Sequence, residues 1–249
     1  MDQPAPAKNQ FIFTADGSPT LYCPKHGEHH HSLIGAYTEA REKYVVLAEP
    51  WLARGGRLRV LDLPFGLGYN LAALLAELDQ AGHDVHVDCT AVELDQTVIS
   101  LISQYPADLP LSEYFKAIAD RLSGSEHQLR LLRGDLLTVL PDLVAEEADS
   151  YDLIFYDPFS PRVAPALWSQ EQALKPLASL LAPSGLLVTY TASPKVRQGL
   201  LRLGLAVGPS RAVGRKMPGT VASWSASCLR QGAFSAAVSA QIARAKPYP

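Results

Sequence analysis

After Glu171 the sequence contains no aspartate or glutamate. Residues 172–249 carry 10 Lys and Arg against no acid, whereas residues 1–171 carry 25 acids against 12 basic residues, so the net charge of −3 conceals parts of +10 and −13. A segment so one-signed can present a basic surface even on an acidic protein. The alternative is two oppositely charged parts that neutralise each other across one fold.

Cysteine is equally sparse. Cys23, Cys89 and Cys228 are odd in number, far apart and outside any C-x-x-C pair, which argues against a disulfide framework or a thiolate metal site. They are expected to be reduced and mostly buried. No run of about 18 apolar residues is present to span a bilayer. The start, Met1 to Gln10, lacks the apolar stretch and cleavage pattern of a secretion signal, so a cytoplasmic protein with no membrane partner is expected. No internal repeat or long low-complexity segment occurs. What is present is 47% hydrophobic residues over 249 positions, enough for one sizeable core.

Residues 11–14 and 20–22 flank Asp16-Gly17-Ser18 and read as a small hairpin. Apolar positions at helical spacing over 36–53 predict a helix that stops near Arg54-Gly55-Gly56. Strands at 58–63, 85–93, 128–133, 151–156 and 186–191 then alternate with helices at 70–81, 96–104, 112–122, 166–181 and 195–203. Such βα alternation implies an α/β fold with a largely parallel, twisted sheet. The end differs. Segments 205–213 and 220–229 have no helix between them and should pair as an antiparallel hairpin at the sheet edge. A parallel sheet closed in this way resembles the Rossmann-like class I methyltransferases that use S-adenosyl-L-methionine (SAM). The expected organisation is an N-terminal hairpin and helix extension over 1–56, the main domain over 57–231 and a C-terminal tail over 232–249.

Ligands of open α/β sheets sit beyond the carboxyl ends of the strands. The first strand ends in Asp62 and a loop with Gly66 and Gly68, the second in Glu93, the third in Gly134-Asp135 and the fourth in Asp157. Each carboxylate alone is as well read as a helix cap; four on one edge suggest a cofactor site. The two glycines allow backbone to approach the methionine part of SAM closely. Glu93 suits ribose hydroxyls, Asp135 the adenine amino group and Asp62 the methionine ammonium. Pro64 removes one N–H from the loop and so counts against a phosphate ligand.

The block Tyr156-Asp157-Pro158-Phe159-Ser160-Pro161 places a carboxylate, a fixed backbone and an aromatic ring where a methyl group would emerge. A nitrogen nucleophile must be neutral to attack a methyl sulfonium, and a carboxylate there can orient it and take its proton. Phe159 could stack on a planar base. The competing reading is a loop held by two prolines around a buried Phe.

The same block, with Pro165-Ala166-Leu167-Trp168, Ala182-Pro183-Ser184-Gly185, Val196-Arg197-Gln198-Gly199-Leu200 and Gly214-Arg215-Lys216, resembles the methyltransferase part of the MnmC family. So do Thr14-Ala15-Asp16-Gly17-Ser18 and His31-Ser32-Leu33-Ile34-Gly35-Ala36 with Glu39. The resemblance implies SAM as cofactor, held by Gly66, Gly68, Asn70, Glu93 and Asp135, with Asp157 at a substrate amine. It implies conversion of a 5-aminomethyl group on a tRNA wobble uridine to 5-methylaminomethyl, without the FAD-dependent oxidase domain that MnmC also carries. Arg197, Arg202, Arg211, Arg215 and Lys216 are then candidates for the phosphates of the anticodon arm. The chain departs from the family pattern in two places: Pro64 replaces a glycine, and Val163-Ala164 replace a more polar pair.

The run His26-Gly27-Glu28-His29-His30-His31 invites a metal, but adjacent side chains diverge and no further ligands support it, so none is expected. His31 is the histidine expected to contact cofactor or substrate. Tyr44, Trp51 and Trp168 fall on apolar helical stripes and read as core. Two other functions remain open on the residues: a small-amine methyltransferase or aminopropyltransferase-like enzyme, and a non-catalytic tRNA-binding protein with a degenerate SAM loop.

Overall fold

The computed structural model describes residues 10–122, 126–212, 217–230 and 232–249. Its centre is a seven-stranded sheet. Strands β5 (Gly56–Leu63), β6 (Val85–Glu93), β7 (Gln128–Arg133), β8 (Tyr151–Tyr156) and β9 (Leu181–Thr189) are parallel neighbours, and the antiparallel β10 (Ala206–Pro209) and β11 (Thr220–Ser223) complete the order β10-β11-β9-β8-β5-β6-β7. The expected parallel sheet with an antiparallel C-terminal hairpin is therefore present. Successive residues of the central strands serve opposite faces, because side chains alternate along a strand. Val60, Phe155 and Val188 join one apolar cluster, while Leu61, Ile154 and Leu187 join the other. Both faces are covered, so these strands read as continuous apolar runs.

Helices α3 (Tyr69–Ala81), α4 (Gln96–Ile102), α5 (Ser112–Ala119), α6 (Leu136–Glu147), α7 (Lys175–Leu180) and α8 (Pro194–Arg202) connect the strands. Asp95 caps α4 by accepting Thr97 N–H, and Asp135 caps α6 by accepting Leu137 N–H, each at 2.9 Å. The sequence reading named no helix between 133 and 151; Pro141 inside α6 masks it, since proline lacks the N–H that a helix interior uses.

Two expected helices are broken. The 36–53 segment divides into α1 (Ala36–Lys43), a 3₁₀ turn over Val45–Ala48 and α2 (Glu49–Leu52). Pro50 restarts the chain in a first helical turn, the place where a missing N–H costs least. The 166–181 segment becomes a 3₁₀ turn, a π turn and then α7, with a proline in the first turn of α7. Strand β9 correspondingly begins earlier than expected, at Leu181.

Residues 10–52 fold over one sheet face. The expected hairpin forms as β1 (Ile12–Phe13) and β2 (Pro19–Thr20), and a second, unexpected one forms as β3 (Tyr22–Cys23) and β4 (Glu28–His29). Leu21, Ala36, Tyr44 and Trp51 enter the same apolar cluster as Val60 and Phe155. Helix α9 (Ala236–Arg244) then packs on α8.

The charge split is partly spent internally. Arg211 meets Glu42 at 3.3 Å and Arg230 meets Glu49 at 3.1 Å, so two cations of the basic part neutralise acids of the other. Among the described residues no helix is long and apolar enough to cross a membrane.

Candidate active site

Strands β5, β6 and β7 run one way in the sheet order and β8 and β9 the other, and a crevice opens at the carboxyl ends where that order reverses. The cavity there measures about 940 Å³. Gly66, Asn70, Glu93, Asp135, Asp157, Pro158, Phe159 and His31 all line it, which brings together eight of the residues singled out from sequence.

Glu93 is held by two backbone donors. Gly66 N–H reaches its Oε2 and Asp95 N–H its Oε1, each at 2.8 Å. Burial pushes the Glu93 carboxyl above the usual carboxylate range, while those N–H groups oppose the shift. Gly66 sits at φ +57°, and a Cβ there would meet nothing nearer than His30 Nδ1 at 3.9 Å, so its missing side chain leaves open space beside Glu93. Gly68 has another task. It caps α3 at φ +87°, where a Cβ would stand 2.8 Å from Phe65 Cζ, so it is small to let Phe65 pack under the loop.

Asp62 is fully buried and does not itself line the cavity. Asn70, which does, donates Nδ2–H to Asp62 Oδ1 at 3.1 Å. Asp62 Oδ2 has no hydrogen-bond partner among the described residues. Burial without full pairing raises the Asp62 carboxyl to about 7.

Asp157 follows β8, and its N–H continues the sheet by donating to Leu63 O at 2.7 Å. Burial pushes its carboxyl well up, the Glu39 charge adds to this, and a Tyr44 hydroxyl bond and the Lys43 charge oppose it. Glu39 also lines the cavity: its Oε1 accepts from Lys43 Nζ at 2.5 Å and its Oε2 from Ser32 N–H at 2.7 Å. Tyr44 O–H in turn accepts Tyr190 N–H at 3.2 Å, and Tyr190 donates its own hydroxyl to Pro158 O at 3.0 Å. Sequence reasoning gave Tyr44 as core, which it is, and missed its contact with Asp157. Trp51 and Trp168 are core as expected, and Trp168 Nε1–H also holds Phe159 O at 2.9 Å.

The histidine run disperses. His26 stacks on Phe159 at 4.4 Å and 30°, and His30 approaches the same ring edge-on at 5.2 Å. His29 turns to Tyr22, and His31 shares a 3.0 Å bond between Nδ1 and Thr20 Oγ1. Burial lowers His30 to about 3 and His31 to about 4, so both are neutral near pH 7. One face of Phe159 is thus already covered, which narrows its use as a stacking platform. Glu28, the first residue of β4, accepts from Ser160 N–H at 3.1 Å and Ser160 Oγ at 2.6 Å, and pairs with Arg162 at 3.0 Å. The hairpin is thereby tied to the Asp157 loop.

Arg197 does not reach the cavity. It is 2% exposed, its guanidinium donates to Thr220 Oγ1, Pro218 O and Gly219 O at 2.9 to 3.0 Å, and it stacks on Phe234 at 4.3 Å. Its role is to clamp α8 to β11, in place of the phosphate contact expected from sequence. Arg215 and Lys216 lie outside the described residues. Among the described cations, Lys25 lines the cavity and Arg162 stands beside it with its side chain 77% exposed. The three cysteines are unpaired, with Cys89 buried and Cys23 and Cys228 half-buried.

A doubly wound sheet with acidic strand ends around a large crevice is the arrangement that binds a nucleoside-containing cofactor. A family described as S-adenosyl-L-methionine-dependent methyltransferase matches residues 92–225. The solved structure of MnmC2 from Aquifex aeolicus is 31% identical and superposes with a TM-score of 0.82, covering 98% of this chain and 79% of that one. The chain belongs to the S-adenosyl-L-methionine-dependent methyltransferases of the MnmC family. An uncharacterised protein of Methanocaldococcus jannaschii is 27% identical over 85% of this chain and 58% of its own length. The tRNA 5-methylaminomethyl-2-thiouridine biosynthesis bifunctional protein MnmC of Methylibium petroleiphilum is 29% identical over 86% of this chain. The match spans only 34% of that relative's length.

The site fits SAM on its own chemistry. Gly66 leaves room for a ligand, Glu93 and Asp135 offer acceptors to hydroxyl and amino groups, and the unpaired Asp62 Oδ2 behind Asn70 favours a positive charge nearby.

Proposed function

We propose that this protein methylates the amine of a 5-aminomethyl group on a tRNA wobble uridine. The observation that carries the reading is Asp157: a cavity carboxyl of raised proton affinity, set between Tyr44 and Tyr190 at the end of β8, beside the acceptors Glu93 and Asp135. The names of the MnmC relatives supply the nucleoside.

In this reading Glu93 holds the ribose hydroxyls, Asp135 the adenine amino group, Gly66 the methionine backbone, and Asn70 with Asp62 the cofactor's ammonium. Bound SAM supplies an electrophilic methyl group on a sulfonium. Asp157 receives the substrate as an ammonium, takes a proton from its nitrogen and leaves the lone pair free. The Tyr44 hydroxyl fixes which way the carboxylate faces. His26 and His30, neutral around Phe159, close the cavity without adding a positive charge against the amine. Lys25, Arg162, Arg215 and Lys216 are the cations proposed to meet the anticodon-arm phosphates.

The test is to incubate the protein with methyl-labelled SAM and tRNA carrying the 5-aminomethyl group, then digest to nucleosides. Label should appear as 5-methylaminomethyl-uridine, and transfer should weaken steeply with salt. Asp157→Asn should lower kcat by about 100-fold or more, the scale of a lost proton acceptor, while SAM affinity by calorimetry stays within about threefold. Absence of label on the nucleoside with an active control enzyme overturns the reading; transfer to free amines without tRNA replaces it with a small-amine methyltransferase.

A further inference from the structure

Glu39 ties the loop before α1 to the helix through Ser32 N–H, but that bond needs no Lys43 beside it. The Glu39–Lys43 pair joins successive turns of α1, and a buried ion pair contributes little net stability because both charges lose their hydration. It is nevertheless buried beside the cavity, Glu39 11% and Lys43 3% exposed, with Glu39 lining the cavity that Asp157 also lines.

We propose that Glu39 is a positioning residue for the proton acceptor, and that Lys43 is its counterweight: the pair places one negative charge toward Asp157 and limits its effect with one positive charge behind it. This inference rests on the proposed amine methylation. The geometry assigns the parts. Ser32 N–H and Lys43 Nζ fix both Glu39 oxygens, so the charge cannot swing away. The groups that face Asp157 are Glu39 and Lys43 of α1, Tyr44 after it, Asp62 of β5 and Tyr190 after β9. Of the charged groups among these, Glu39 acts on Asp157 most strongly, with Lys43 opposing it and Asp62 adding to it.

The chemical consequence follows from balance. A proton passes from the substrate ammonium nitrogen to an Asp157 oxygen, the N–H bond breaks, and its electron pair stays on nitrogen as the nucleophilic lone pair. A carboxylate that holds protons more tightly is a better base for an ammonium, so the Glu39 charge drives this transfer. A carboxylate of ordinary acidity would leave the amine protonated. Lys43 sets the upper limit, since an acceptor that never ionised could not receive the proton. The Glu39 and Asp157 carboxylates together favour a cation over a neutral hydroxyl in the cavity, which makes Glu39 a determinant of amine specificity.

Glu39→Gln keeps the shape and the acceptor for Lys43 while removing the charge, and Lys43→Met removes the counter-charge. Two readouts are taken on each, with Glu39→Asp, which retains the charge, as a third variant should Lys43→Met fail to fold. The first is the infrared carboxylic-acid band of Asp157 against pH in the free protein, assigned by its loss in Asp157→Asn. The second is kcat against pH on aminomethyl-tRNA. Glu39→Gln should move the band midpoint and the acid limb of kcat down by about one pH unit, a shift on the ordinary scale of one neighbouring charge, and lower kcat about tenfold. Lys43→Met should move both midpoints up, and Glu39→Asp should leave them within about 0.3 unit. Unchanged midpoints in Glu39→Gln overturn the proposal and leave Glu39 a structural residue. If wild-type protein transfers no methyl to tRNA, the proposed function falls, and the infrared titration still decides the positioning role.

Discussion

Two glycines separated by one residue do different jobs, and the difference can be measured. Both sit at positive φ, so a side chain at either is strained by about 1–3 kcal/mol. At Gly68 the strain is joined by a clash, because the new Cβ would press on the Phe65 ring at 2.8 Å. At Gly66 the new Cβ would point into open cavity. Gly68→Ala is therefore expected to lose more stability in urea unfolding than Gly66→Ala, by about 1 kcal/mol or more. Gly66→Ala is expected to weaken SAM binding about tenfold or more in calorimetry, the cost of a misfitting methyl at a close backbone approach. Equal SAM affinity of Gly66→Ala and wild type would remove Gly66 from the cofactor site.

At the scale of elements, the second hairpin is the part of the site that the chain's local pattern hides. Its strands are two residues each, too short to pair stably alone, and it is held down through Glu28 at Ser160 and Arg162. Glu28→Ala leaves Ser160 N–H without that acceptor and frees the hairpin from the Asp157 loop. Amide exchange over 22–31 should then accelerate about tenfold or more, the equivalent of losing about 1.4 kcal/mol of local protection, while exchange in β5 and β6 stays unchanged. Exchange that is unaltered over 22–31 would mean that stacking of His26 and His30 on Phe159 suffices to hold it.

The strands were readable because each is an uninterrupted apolar or β-branched run between turn signals; the bounds of β6, β7 and β8 coincide with those read from sequence. The acidic strand ends were readable for a related reason, since parallel strands bring their carboxyl ends to one edge whatever else the chain does. Glu39, Lys43 and Tyr44 were not. They reach Asp157 only because residues 10–52 fold back over the sheet, and no spacing along the chain encodes that return. Arg197 misled for the opposite reason: a lone Arg in a basic stretch looks like surface until Pro218, Gly219 and Thr220, leading into β11, supply the three oxygens that bury it.

The whole molecule keeps an unusual set of titrating groups away from water, and their signs oppose. Asp62, at about 7, keeps a proton that the unfolded chain releases near its ordinary value of 3.8. Its contribution is therefore fully present below about pH 4 and is lost as pH rises to about 7; Glu93 and Asp157 act in the same direction. His30 and His31, at about 3 and 4, stay neutral where the unfolded chain gains protons below its ordinary 6.5, so their contribution is lost as pH falls from about 6.5. The melting temperature should pass through a maximum at mildly acidic pH. Asp62→Asn keeps an acceptor for Asn70 and carries no charge at any pH, so it should remove the part of the fall in stability that Asp62 contributes between about pH 4 and about 7. One pKa unit corresponds to about 1.4 kcal/mol, which bounds the Asp62 effect at about 4 kcal/mol. Only the part from pH 5.5 to about 7 falls within a comparison of pH 8 with pH 5.5, about 2 kcal/mol, which for a chain of this size is a gain of roughly 4–8 °C for Asp62→Asn relative to wild type. Parallel melting curves for the two proteins would show that Asp62 is ionised in the folded state throughout, and that the cavity floor is wetter than its buried, unpaired Oδ2 implies.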